Sequence, residues 1–159
     1  MFLAGEDATQ KRLNEEIGVT LRKSADQIVN NSTTMVNDTH LFWPVEANVQ
    51  YVFEGELVYT AATAADIRIG WSSPSGTAMS WNATGLDVAL AYKNVANLAA
   101  ATTSNFGGNG TTSGRLIHVS GWLTIGATAG TLRLQWAQDT ANASDASMRA
   151  GSTATLYRV

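Results

Sequence analysis

Residues 132–138 read LRLQWAQ, and their alternation sets how the rest of the chain is read. Strand side chains point to opposite faces in turn. Leu132, Leu134 and Trp136 therefore share one side, and Arg133, Gln135 and Ala137 the other. An apolar row backed by a more polar one is the pattern of a half-buried strand. The same period recurs upstream. In ANVQYVFEGELVYTA (47–61), Val49, Tyr51, Phe53, Leu57 and Tyr59 fall on one face, and Gln50, Val52, Glu54, Glu56 and Val58 on the other. ADIRIGWS (65–72) places Ile67, Ile69 and Trp71 inside with Asp66 and Arg68 outside, and GTAMSWNATG (76–85) is a shorter strand around Met79 and Trp81.

GRLIHVSGWLTIG (114–126) has apolar residues on both faces, Leu116 and Trp122 on one and Ile117, Val119 and Leu123 on the other. That predicts a central strand covered on both sides. The following ATAG (127–130) predicts a hairpin turn into LRLQWAQ, and STATLYRV (152–159) a closing strand. Residues 87–98, DVALAYKNVANL, fit a helix through Val88, Ala91, Tyr92, Val95 and Leu98, or a strand and loop. AAATTSNFGGNGTTSG (99–114), with four glycines and no charge, predicts a long loop. Many short strands with Gly/Thr/Asn turns and no 20–50-residue repeat predict a mainly β chain, an antiparallel β-sandwich of jelly-roll type.

The N-terminal part reads differently. In DATQKRLNEEIG (7–18), Asp7 and Gln10 have capping-box spacing, Leu13 and Ile17 form an i,i+4 pair, and Gly18 is a C-terminal stop. A helix of about ten residues is not stable alone, so it must dock on its own domain or a neighbouring subunit. Residues 19–45 alternate short β-favouring runs with polar turns and predict an extended arm with Pro44 near its end. The expected division is a helix and attachment arm over 1–45 and a sandwich over 46–159.

Composition excludes several functions. A chain of 159 residues suffices for one domain with a real core. Charged residues are 14%, against about a quarter in an average globular protein. A net charge of −3 gives no basic footprint for nucleic acid and no polybasic membrane patch. No apolar run approaches the roughly 18 residues of a membrane-spanning helix. MFLAGEDATQ lacks the basic start of a signal peptide, so the six N-x-S/T sequons read as by-products of Asn, Ser and Thr richness. With no cysteine, disulfides, thiolate metal sites and cysteine nucleophiles are excluded.

No catalytic, cofactor or metal site is expected from the remaining motifs. His40 and His118 are isolated from any metal-ligand spacing. Glu54 and Glu56 lie side by side on one strand, whereas glycoside hydrolysis needs carboxylates across a cleft. FGGNGTTSG lacks the G-K-[ST] ending of a phosphate loop, and no G-x-S-x-G elbow is present. Of five tryptophans (43, 71, 81, 122 and 136), most are in phase with core residues. Trp81, with the 99–114 loop, is the candidate for stacking on a host-surface glycan.

FLAGEDATQKRLN (2–14) resembles the F-x-AGE-x-x-T-x-x-x-LN opening of small structural proteins of tailed phages, those of actinobacteria in particular. The segments YVFEGELVY, ADIRIGWSSPSG, GRLIHVSGWLTIGATAGTLRLQWAQDTANAS and GSTATLYRV are similar to a recurrent virion-surface β-domain, so the likeness spans most of the chain. The resemblance implies a non-enzymatic virion component, assembled in the host cytoplasm and commonly homotrimeric. As a head decoration protein it would bind the major capsid protein. As a minor tail or fibre protein, a placement that the AGE opening also fits, it would sit among tail-tip proteins and touch the host. The partner-binding residues expected are Phe2, Leu3, Leu13, Ile17, Phe42 and Trp43 as apolar anchors, with Arg133 and Gln135 as a polar subunit contact.

Overall fold

The computed structural model describes residues 18–159, and every regular element in them is a strand. The expected helix over 7–18 falls outside the described residues, Gly18 excepted. The larger sheet runs β1 (Val19–Arg22), β12 (Thr153–Arg158), β4 (Gln50–Ala61), β9 (Gly110–Thr124), β6 (Ala78–Leu86), β7 (Tyr92–Leu98). Two short strands, β2 (Gln27–Val29) and β11 (Ala146–Met148), join it beside β4. The smaller sheet runs β3 (Val36–Val45), β10 (Gly130–Gln138), β5 (Ile67–Ser72), β8 (Ser104–Phe106). The strand pairings are antiparallel.

The orders 3-10-5-8 and 4-9-6-7 follow from a chain that changes sheet at almost every connection, which is how a jelly roll winds its two Greek keys. The core lies between the sheets. Phe53 of β4 meets Trp71 of β5 at 4.7 Å between ring centroids, and Trp71 meets Trp43 of β3 at 6.4 Å. Leu132, Leu134 and Trp136 are fully buried, as are Ile117, Val119 and Leu123, so the alternation of LRLQWAQ does mark its core face.

Three expectations are corrected. Residues 19–45 are not a crossing arm: β1 pairs with β12, β2 with β11, and β3 with β10. ATAG is not a hairpin turn, because β9 and β10 lie in opposite sheets and this segment carries the chain between them. The 99–114 segment is not a long loop, since β8 and the start of β9 lie within it. Its small residues allow close backbone approach: a Cβ on Gly108 would meet the Ala61 and Ala62 carbonyl oxygens at 2.4 Å. Residues 87–98, left open between helix and strand, end in edge strand β7.

Buried polar groups close the ends of the sandwich. The Tyr59 hydroxyl donates to the Gly107 carbonyl at 2.7 Å. Burial, more than any nearby charge, pushes its pKa up to about 12. A phenol whose pKa is raised by folding contributes stability that is intact below the unfolded value of about 10 and is lost as pH rises through the folded one. Unfolding free energy is therefore expected to fall between pH 10 and pH 12. Urea titrations across that range should show a shallower fall for Tyr59→Phe than for the wild type.

Candidate interaction surface

The outward face of the larger sheet is built from the even-numbered residues of β4 and β9. Register places Val52 between Tyr157 and Trp122, Glu54 between Thr155 and Ser120, and Glu56 between Thr153 and His118. Ser80, Asn82 and Thr84 of β6 extend these three rows. Trp122 is 51% exposed and Leu116 58% exposed, with Val52 and Val159 also exposed. β9 is thus central in its sheet, as expected, but the described residues cover only one of its faces. Its outward apolar residues, Leu116 and Trp122, are left exposed by them.

This face has an apolar end and a polar middle. A shallow depression of about 310 Å³ is lined by Val52, Trp122 and Val159 among others. Next to it, Tyr157 Oη donates to Glu54 Oε1 at 3.1 Å, and Glu56 Oε1 lies 2.9 Å from His118 Nδ1. Glu54, Glu56 and His118 are exposed and Tyr157 half-buried, and the two carboxylates lie side by side in one shallow depression of about 230 Å³ rather than across a cleft of the kind glycoside hydrolysis uses. Among the described residues, no group of three or more His, Asp or Glu could hold a metal ion. Gly18 packs against the Tyr157 ring, so the chain enters the sandwich at the apolar end of this face.

The partner residues expected from sequence that lie among the described residues do not all come together. Phe2, Leu3, Leu13 and Ile17 lie outside the described residues. Trp43 is corrected to a core residue: it is 1% exposed, and its Nε1–H donates to the Val19 carbonyl at 2.9 Å, tying β3 to β1. Phe42 is 39% exposed, yet the Arg133 guanidinium lies 4.5 Å from its ring centroid. Gln135 Nε2 donates to Asn37 Oδ1 at 2.8 Å. Phe42, Arg133 and Gln135 thus come together on the smaller sheet, engaged with β3 of their own chain. Trp81 is no stacking platform, because it is fully buried with its Nε1–H donating to the Ala99 carbonyl at 3.1 Å. The surface that sequence reasoning missed is the one around Trp122, and the two-sided apolar pattern of 114–126 was its signal.

No protein-family model and no curated protein sequence matches the chain. Among solved structures it is similar to the VP2 subviral particle of infectious bursal disease virus, at 10% identity and a TM-score of 0.21, over 87% of this chain and 39% of that one. The Gt strain of the same virus gives 12% identity and a TM-score of 0.20, over 89% and 42%. The chain thus spans about two fifths of the length of these neighbours. Superpositions this loose bear on neither its partners nor its place in any particle.

Proposed function

We propose that the chain is a structural protein of a tailed-phage virion that works by assembly rather than catalysis. In this reading it forms a homotrimer through the outward face of the larger sheet. Residues 1–17 attach it to the major capsid protein as head decoration. The observation that carries the reading is Trp122, half exposed near one end of the central strand β9 of a broad sheet. An indole left half in the open forgoes about 2–3 kcal/mol of burial, which a second copy of the chain would supply. Three such sandwiches around an axis would also shelter free strand edges. The resemblance of 2–14 and of the strand segments to phage structural proteins supports the virion setting. A minor tail protein that meets the host surface is the second reading, which the AGE opening favours.

Deleting residues 1–17 removes none of the described strands. The truncated protein is expected to stay folded and keep its oligomeric mass, yet to fall at least tenfold in purified particles, measured by quantitative mass spectrometry. Incorporation equal to that of the full chain would contradict attachment through this segment.

A further inference from the structure

A polar cleft of about 430 Å³ lies at the open side of the sandwich, between β7 of the larger sheet and β5–β8 of the smaller. Its two cations are poorly neutralised. Lys93 Nζ reaches across to the Asn105 carbonyl and Oδ1, both at 2.7 Å, and meets no carboxylate among the described residues. Arg68 donates through Nη2 to the Thr33 carbonyl at 2.7 Å, while its Nη1 is 4.0 Å from Asp139 Oδ1, the outer limit of an ion pair. The buried Arg68 Nε–H makes no hydrogen bond to the described residues. Asp139 is further held by Asn105 Nδ2, which donates to its Oδ2 at 3.0 Å. The cleft therefore carries one net positive charge on a chain whose net charge is −3.

The geometry points to a binding site for a carboxylate-bearing sugar of the uronic acid class, such as an exposed residue of an acidic surface polysaccharide. An arginine whose Nη1 is only loosely held by Asp139, beside the Lys93 ammonium held by neutral Asn105 and the Phe106 ring, suits a carboxylate. Thr103, Ser104 and Asp139 line the cleft with groups that can bond ring hydroxyls, and Val95 and Leu98 offer an apolar wall to the C–H face of a pyranose. The volume suits one or two sugar rings and is too small for a folded partner. This site is independent of the chains that the Trp122 face meets, so it stands or falls separately from the trimer.

The test is an amide-resolved NMR titration of the full chain with methyl glucuronide, with methyl glucoside and acetate as parallel arms. Saturable shifts centred on Arg68, Lys93, Ser104 and Asn105 are expected for the glucuronide, with a dissociation constant on the order of 1 mM for a single ring in an open cleft. The glucoside should bind about tenfold more weakly. Arg68→Met should abolish the shifts, and Arg68→Lys, which keeps the charge but not the reach of the guanidinium, should weaken them. Absence of shifts at the cleft would overturn the proposal. So would acetate shifts as large and as saturable as the glucuronide's, which would mark a general anion spot with no sugar recognition.

Discussion

Asp38→Ala is expected to lower the unfolding free energy by about 3–5 kcal/mol, the cost of leaving a buried ion unpaired. Asp38 and Lys23 both have fully buried side chains, with Nζ 2.8 Å from Oδ2. The other carboxylate oxygen accepts the backbone N–H groups of His40 and Leu41 at 2.8 and 2.9 Å. Lys23 is fixed in turn, its N–H donating to the Ser152 carbonyl at 2.8 Å and its own carbonyl accepting from Gly151. The pair thus joins the end of β1, the start of β3 and the turn before β12. For a chain of this size each kcal/mol moves the melting temperature by about 2–4 °C, so thermal denaturation should show a fall on the order of 10 °C. Asp38→Asn keeps an acceptor for the two amides and should fall less. The double variant Lys23→Met with Asp38→Leu removes the stranded charge and should recover most of the loss. It should still sit about 1–2 kcal/mol below wild type, because two buried N–H groups lose their acceptor.

Trp122→Glu is expected to do the reverse, sparing the fold and breaking the assembly. Trp122 Nε1 makes no hydrogen bond to the described residues and the side chain points away from the core, so stability should change by about 0.5 kcal/mol or less, as at other surface positions. At a contact between copies, losing about 2–3 kcal/mol of indole burial weakens each interface by roughly 30- to 150-fold. The new carboxylate also lies one row from Glu54, which adds like-charge repulsion. Sedimentation should show the mass falling from three times 16.8 kDa toward 16.8 kDa at micromolar concentration. Wild-type and variant proteins of equal mass would remove the Trp122 face as the interface.

Local alternation made the faces of individual strands legible, and it did so well: the inward rows of β4, β5, β9 and β10 are the core. Alternation says nothing about which sheet receives the next strand. Two successive amphipathic strands look alike whether they pair in a hairpin or face each other across a core, and so the connection at 127–130 was misread. Residues 19–45 hid their strands for a related reason. Lys23 and Asp38 interrupt the β-favouring runs with charge, and only their pairing, fifteen residues apart in sequence, makes them buried. Trp122 posed the opposite problem. An apolar outward row signals cover without telling whether the cover is the same chain or another, and the fold shows it is not the described part of this one. Arg133 and Gln135 proved less available than their alternation implied, because Phe42 and Asn37 on the neighbouring strand already engage them.

In the proposed assembly, sandwiches of this chain stand on a phage particle with their larger sheets turned toward one another. Electron cryo-microscopy of the purified virion tests it most directly. The expected map has threefold clusters of two-sheet domains on the head, with Trp122, Val52 and Val159 buried at the contacts between copies. A particle that lacks such domains on both head and tail, or that carries them with the Trp122 face open to solvent, would contradict it.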